Sequence, residues 1–208
     1  MKKIILAIVA ATFMVNMSSA QEDPIDLREN LTFGVKVGAN LSNVYDTKGQ
    51  DFNADGKLGL ATGVFVGIPI SKYLGIQPEL LYSQKGFKAK GNVLGSAYEF
   101  TRTTNYLDIP VFVAVKPSPM ITILAGPQYS YLLKGKYDFK NQLISGGFDN
   151  NDTRKSNFCL VGGLDINLKN LVIGGRAGWD LNETDKNGTT TTPRYKNVWL
   201  QATIGFRY

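Results

Sequence analysis

From Leu31 onward the chain alternates apolar and polar residues, and the alternation restarts after each cluster of turn-forming residues. In the first run Leu31, Phe33, Val35, Val37, Ala39 and Leu41 share one face, while Thr32, Gly34, Lys36, Gly38, Asn40 and Ser42 share the other. A period of two marks a strand with two unlike faces. A second run has Leu58, Leu60, Val64, Val66, Ile68 and Ile70 on its apolar face, and a third has Leu74, Ile76, Leu80 and Tyr82. The fourth opens near Tyr98 and carries Leu107, Ile109, Val111, Val113 and Val115; the fifth carries Ile121, Ile123, Ala125, Tyr129 and Tyr131. Phe158, Leu160, Leu164, Ile166 and Leu168 make the sixth, and Leu171, Ile173, Ala177 and Trp179 the seventh. The eighth places Leu200, Ala202, Ile204, Phe206 and Tyr208 on one face and closes on an aromatic. The pattern predicts an all-β chain with no helix of consequence after residue 30.

Each apolar face covers about nine to eleven residues, the length a tilted strand needs to cross the hydrocarbon layer. The links sort by parity. Tight ones lie at Ser71–Tyr73, Lys116–Met120 and Lys169–Asn170, and long polar ones near 46–57, 88–97, 135–156 and 184–194. Short turns on one rim and long loops on the other is the outer-membrane arrangement, with the short turns periplasmic. Phe33, Phe206 and Tyr208 fall at the short-turn end, and Tyr82, Tyr129, Tyr131, Phe158 and Trp179 toward the long-loop end, as two interfacial belts. The fold class expected is therefore an eight-stranded antiparallel up-and-down transmembrane β-barrel. Alternation by itself does not say which face is inside, so a water-soluble barrel with the apolar face inward is the competing architecture. Glycines crowded onto the polar face, loop lengths segregated by rim and the terminal aromatic favour the membrane.

Residues 1–20 read as a secretory signal peptide: Lys2 and Lys3, an apolar run from Ile4 to Val15, then Ser18-Ser19-Ala20. Residues 21–30 would form a periplasmic tail and 31–208 the barrel domain. The formal net charge of the 208 residues is +6, or +4 without Lys2 and Lys3, and it is scattered, which argues against nucleic-acid binding. The single Cys159 excludes an intrachain disulfide and predicts a buried small hydrophobe.

Eight strands leave a lumen just wide enough for side chains to fill. The inward charges expected are Lys36, Lys85, Lys116, Arg176 and Arg207 against Glu79, Asp108, Asp165 and Asp180, nearly balanced, as a salt-bridged plug requires. A selectivity ring in an open channel needs more strands than this.

The chain has no histidine, the commonest general acid–base and metal ligand, so no catalytic residue and no cofactor or metal site is assigned. Glu79 and Asp108 are a carboxylate pair in principle, but inward salt bridging explains both. Asp51, Asn53, Asp55 and Gly56 reproduce the first half of a calcium loop, yet the twelfth position is Thr62 where a bidentate Glu is needed. An Asx-rich turn is the ordinary reading, with weak divalent-ion binding as the sharper one. Gly174-Gly175-Arg176-Ala177-Gly178 lies mid-strand, with no helix N-terminus to cradle a phosphate. Lys134, Lys136, Lys140, Arg154 and Lys155 are solvated loop charges that could meet lipopolysaccharide phosphates.

The block Ile76-Gln77-Pro78-Glu79-Leu80-Leu81-Tyr82-Ser83-Gln84-Lys85-Gly86 resembles the PorT-like outer-membrane β-barrel family. So do Gly34 to Ser42, Tyr106 to Pro110, Ala125-Gly126-Pro127, Gly174-Gly175-Arg176 and the closing Gly205-Phe206-Arg207-Tyr208, over about residues 31–208. The resemblance implies a small eight-stranded barrel and no catalytic set. Two functions follow. One is a structural or loop-mediated binding protein of the cell envelope, partnered by outer-membrane lipid and presenting the 135–156 loop, with Gly146-Gly147 and Asp149 to Asp152, as its contact surface. The other is an accessory subunit of a secretion or transport machine, engaging envelope or secretion proteins through the periplasmic rim or the tail. Oligomeric state and the loop ligand are not written in the sequence.

Overall fold

The computed structural model describes residues 26–46, 54–93, 96–139, 145–147, 154–182 and 195–208. They form β1 (Thr32–Asp46), β2 (Ala54–Pro69), β3 (Leu74–Val93), β4 (Ser96–Ser118), β5 (Ile121–Phe139), β6 (Ser145–Gly147), β7 (Ser156–Leu168), β8 (Leu171–Asp180) and β9 (Tyr195–Arg207). All but β6 build one closed eight-stranded antiparallel barrel, in which β9 returns to pair with β1 from Gly34↔Arg207 to Asp46↔Tyr195. The last rung is doubly bonded. Phe33 N donates to Tyr208 O at 3.2 Å, and Tyr208 N donates to Phe33 O at 2.8 Å. β6 is a short addition to the long-loop end of β5, opposite Lys136–Asp138.

The apolar face is outside. Val35, Val37 and Leu200 are 55, 54 and 58 % exposed, while Lys36 and Asn40, one step out of phase, are 5 and 0 %. The same alternation runs along β7 and β8. A soluble barrel would bury the apolar set, so the competing architecture fails on this point. Both aromatic belts form. Phe206 and Tyr208 meet edge-on at 4.9 Å at the short-turn rim, and Tyr129 and Phe158 at 5.5 Å toward the other.

The long links are shorter than their polar composition predicts. β3 and β4 pair through Val93↔Ser96, so 88–97 is a hairpin arm rather than a loop. β5 likewise continues to Phe139, and β2 begins at Ala54. Strand pairing is a backbone property and survives where side chains lose their apolar phase, which is why alternation ends before the ladder does. The strands of the arm, 20 and 23 residues long, therefore exceed the nine to eleven that the hydrocarbon requires.

The polar face is narrow, and two cross-strand pairs show how it is filled. Phe65 lies opposite Gly34, and Trp199 opposite Gly178; at each glycine an added Cβ would overlap the facing ring. An aromatic covering a glycine lets a large ring lie flat against the wall. Gly86 has φ +149°, open in practice only to glycine, and Ser42 Oγ braces it by donating to Gly86 O and accepting from Gly86 N, both at 2.8 Å.

Gly175 faces outward with open space around its Cα, so Gly175→Ala should be neutral or stabilising by up to about 1 kcal/mol. Gly178→Ala should cost about 1–3 kcal/mol because the Trp199 ring must shift. Denaturant unfolding of the refolded barrel measures both; equal midpoints for the two variants would contradict the assignment of faces.

Candidate functional site in the barrel lumen

Among the described residues, eight charged side chains are buried: Lys36, Lys85, Arg102 and Arg176 against Glu79, Asp108, Asp165 and Asp180. The two signs are equal in number, which a low-dielectric interior demands, because an uncompensated buried charge is far costlier than a paired one.

One network occupies the half nearer the short turns. Lys36 of β1 reaches Glu79 of β3 at 2.7 Å. Arg176 of β8 forks onto Asp165 of β7 at 2.8 and 2.9 Å and reaches Glu79 at 3.4 Å. Gln77 Nε2 joins both carboxylates, donating to Glu79 at 2.9 Å and Asp165 at 3.4 Å. Four strands spread around the wall are thereby tied across the lumen. Rings line the same layer: the Lys36 ammonium lies 4.8 Å from the Phe65 centroid and the Arg176 guanidinium 5.4 Å from that of Phe112.

A second network lies toward the long loops. Lys85 pairs with Asp108 at 2.9 Å and sits 3.7 Å from the Trp199 ring centroid and 5.1 Å from that of Tyr106. Asp180 accepts from Asn197 Nδ2 at 2.6 Å, Asn157 Nδ2 at 3.2 Å and Cys159 Sγ at 3.0 Å. Cys159 is wholly buried, but its thiol is a polar member of this network, in contact with Ser130 Oγ at 3.4 Å, rather than the plain hydrophobe its solitude in the sequence suggests. Between the two networks, Asn40 donates to Ser83 Oγ and accepts from Gln201 Nε2, both at 2.8 Å.

Seven of the nine inward charges expected from parity belong to these networks. Lys116 and Arg207 do not. They stand half-buried at the short-turn rim, where Lys116 Nζ donates to Arg28 O and Arg207 Nε to Lys169 O, each at 3.0 Å. Their parity is inward, but their strands end there, so the side chains meet the mouth instead of the middle. Arg102 was not expected; it precedes the apolar part of β4, yet it shares the parity of Asp108. Tyr106, Phe112 and Trp199 are likewise inward by parity, although their chemistry alone would place them on the lipid face.

Glu79 and Asp108, the one carboxylate pair considered for acid–base work, belong to different networks and each is held by a cation. Asp51 and Asn53 of the calcium-like segment lie outside the described residues, as do Lys140 and Asp149 to Asp152 of the longest loop. Asp55 stands in β2 opposite Lys88, and Thr62 is mid-strand, its hydroxyl donating to Lys36 O at 3.2 Å. Within the Gly-rich 174–178 segment, Gly174 leaves room for the Thr203 hydroxyl, Asp165 and the Arg176 guanidinium, and Gly178 for the Trp199 ring.

At the short-turn mouth Arg28 grips Asp26 with two bonds of 2.8 and 2.7 Å and lies 5.3 Å from the Tyr73 centroid. The hydrogen bonds from Arg28 hold the Asp26 carboxyl well below the usual carboxylate range, against a smaller opposing effect of burial.

A closed barrel with a lipid-facing apolar exterior and a filled lumen agrees with the family comparison. Residues 19–186 match the model of the outer membrane protein β-barrel domain family. The chain belongs to this family. Members reside in the outer membrane, and this protein is placed there too. No curated protein matches it in sequence. Among solved structures it is similar to Ail, the attachment invasion locus protein of Yersinia pestis, at 11 % identity and a TM-score of 0.50, covering 86 % of this chain and 99 % of that one. It is also similar to Neisserial surface protein A, at 10 % identity and a TM-score of 0.50, covering 85 and 97 %. At such identities the likeness is one of fold.

Arg176→Met should destabilise the barrel by about 3–5 kcal/mol by stranding Asp165. Adding Asp165→Leu should restore much of that loss, since Lys36 still neutralises Glu79. A double variant as unstable as the single one, by denaturant midpoint, would show that the pair is not what matters.

Proposed function

We propose that this protein is a non-enzymatic envelope barrel, a rigid outer-membrane anchor whose activity is binding at the long-loop rim. The observation that carries this reading is the filled lumen: charges tied across the bore leave no wide aqueous path, and the buried carboxylates Glu79, Asp108 and Asp165 are each held by a cation. The β3–β4 arm, with Lys90↔Glu99 still in register, supports it by carrying paired backbone past the apolar band as a stiff platform. Residues 1–20 act as the export leader in this reading. The kinship with PorT-like barrels is part of the proposal and rests on the Gln77 to Gly86 block and the closing Gly205 to Tyr208.

A plugged barrel should give no steady large currents in planar bilayers, and sustained conductance of the refolded protein would overturn the plug. The second reading is an accessory subunit of a secretion or transport machine. It is favoured by the Asp26–Arg28 turn, which is fastened to the short-turn rim through Lys116 and Tyr73 and so gives that rim a defined surface. Co-purification with translocon components from detergent-solubilised membranes, lost when residues 21–30 are deleted, would select this reading over the first.

A further inference from the structure

Among the described residues, two half-buried cations at the short-turn mouth lack a carboxylate partner, while the buried charges beside them are paired. Arg28 is neutralised by Asp26, and Asp165 by Arg176, which occupies both its oxygens. Lys116 and Arg207 have no carboxylate within ion-pair distance among the described residues; each spends one donor on a backbone carbonyl. Both line the same cavity of about 20 Å³, with Thr32, Thr122 and Asn167 on its walls and the Leu27–Arg28 turn across its edge. Two like charges beside one half-buried cavity repel each other and are held there only by the wall. The carboxylate on the cavity wall, Asp165, is already engaged through both oxygens by Arg176.

We propose that this mouth is an oxyanion site for a phosphate group, with Arg207 and Lys116 as its charged donors. Among the described residues Arg207 spends only Nε on a protein acceptor, and a guanidinium fork is shaped for two phosphate oxygens. Lys116 retains two of its three protons for the same group. The cavity has room for about one water-sized atom group, so a single phosphate oxygen enters between Thr32 and Thr122 while the rest of the anion stays at the mouth. Asn167 Nδ2 already donates to Thr122 Oγ1 at 3.0 Å, which leaves the Thr122 hydroxyl proton available to an anion. The phosphate comes either from a phospholipid headgroup of the facing leaflet or from a soluble periplasmic phosphate. The site does not depend on what the long loops bind.

The test uses the full-length mature chain refolded into nanodiscs, with amide shifts followed by NMR. Inorganic phosphate is titrated at constant ionic strength against chloride. In phosphatidylcholine discs the expected result is a saturable shift confined to residues near 28–32, 116–122, 165–170 and 205–207. Arg207→Gln and Lys116→Gln, each checked for folding by heat-modifiable gel mobility, should each weaken it about tenfold. If discs containing phosphatidylglycerol show the same shifts without added phosphate, a lipid headgroup is the source. If they leave the titration unchanged, the source is soluble. An absence of any saturable response in either disc, or a response that survives both substitutions, would overturn the site.

Discussion

Inside a bilayer no water is available to satisfy a backbone N–H or C=O, and that constraint decides the structure. A β-chain meets it only by closing its sheet, so the seam between β1 and β9 is the interaction on which everything else depends. The seam joins the first strand to the last, and its final rung is the mutual pair of Phe33 and Tyr208. Once it is closed, the apolar face has nowhere to go but outward and the polar face nowhere but in. In a bilayer, the belts and the composition of the lumen follow from that closure.

Closing so few strands creates a second problem, a bore too narrow for water to screen charge and too polar to be filled with leucine. The chain answers with two devices. Glycines opposite Phe65 and Trp199 let flat rings lie on the wall, and acid–base pairs of equal number span between strands. Arg176 joins Asp165 and Glu79 while Lys36 reaches the same Glu79 oxygen from β1, so four strands share one network. Buried pairs of this sort are weak sources of net stability, but breaking one partner is expensive. They act as a lock on register: a one-residue slip of a strand would turn that strand's charges to the lipid.

The two rims obey different physics. At the long-loop end the sheet outruns the membrane, because backbone pairing needs no apolar side chain once water is present. At the short-turn end the strands stop abruptly, and inward-facing Lys116 and Arg207 are left at the mouth among turn carbonyls. The Asp26–Arg28 turn folds over that mouth, with Arg28 on Tyr73 and its carbonyl on Lys116. One end is thus a platform and the other a partly covered basin.

The sequence by itself determined the strand phases, the eight-strand barrel, the segregation of short and long connections, and most of the inward charges. Parity is a local property: each residue's face follows from its neighbour's, so Lys36, Glu79, Lys85, Asp108, Asp165, Arg176 and Asp180 could all be assigned in advance. Parity also places Trp199, Tyr106 and Arg102 inward, although hydrophobicity or a position beyond the apolar run points the other way. Alternation is symmetric under exchange of the two solvents, so the inner face was chosen by the glycines of the polar face, the segregated loop lengths and the terminal aromatic, and the exposures of Val35 and Lys36 agree. Only the tertiary structure fixed how far the ladders run past the membrane, because backbone pairing leaves no mark on side-chain pattern. And it alone chose the partners. Which cation meets which carboxylate depends on strand stagger around a closed ring, a distance in space between residues far apart in the chain.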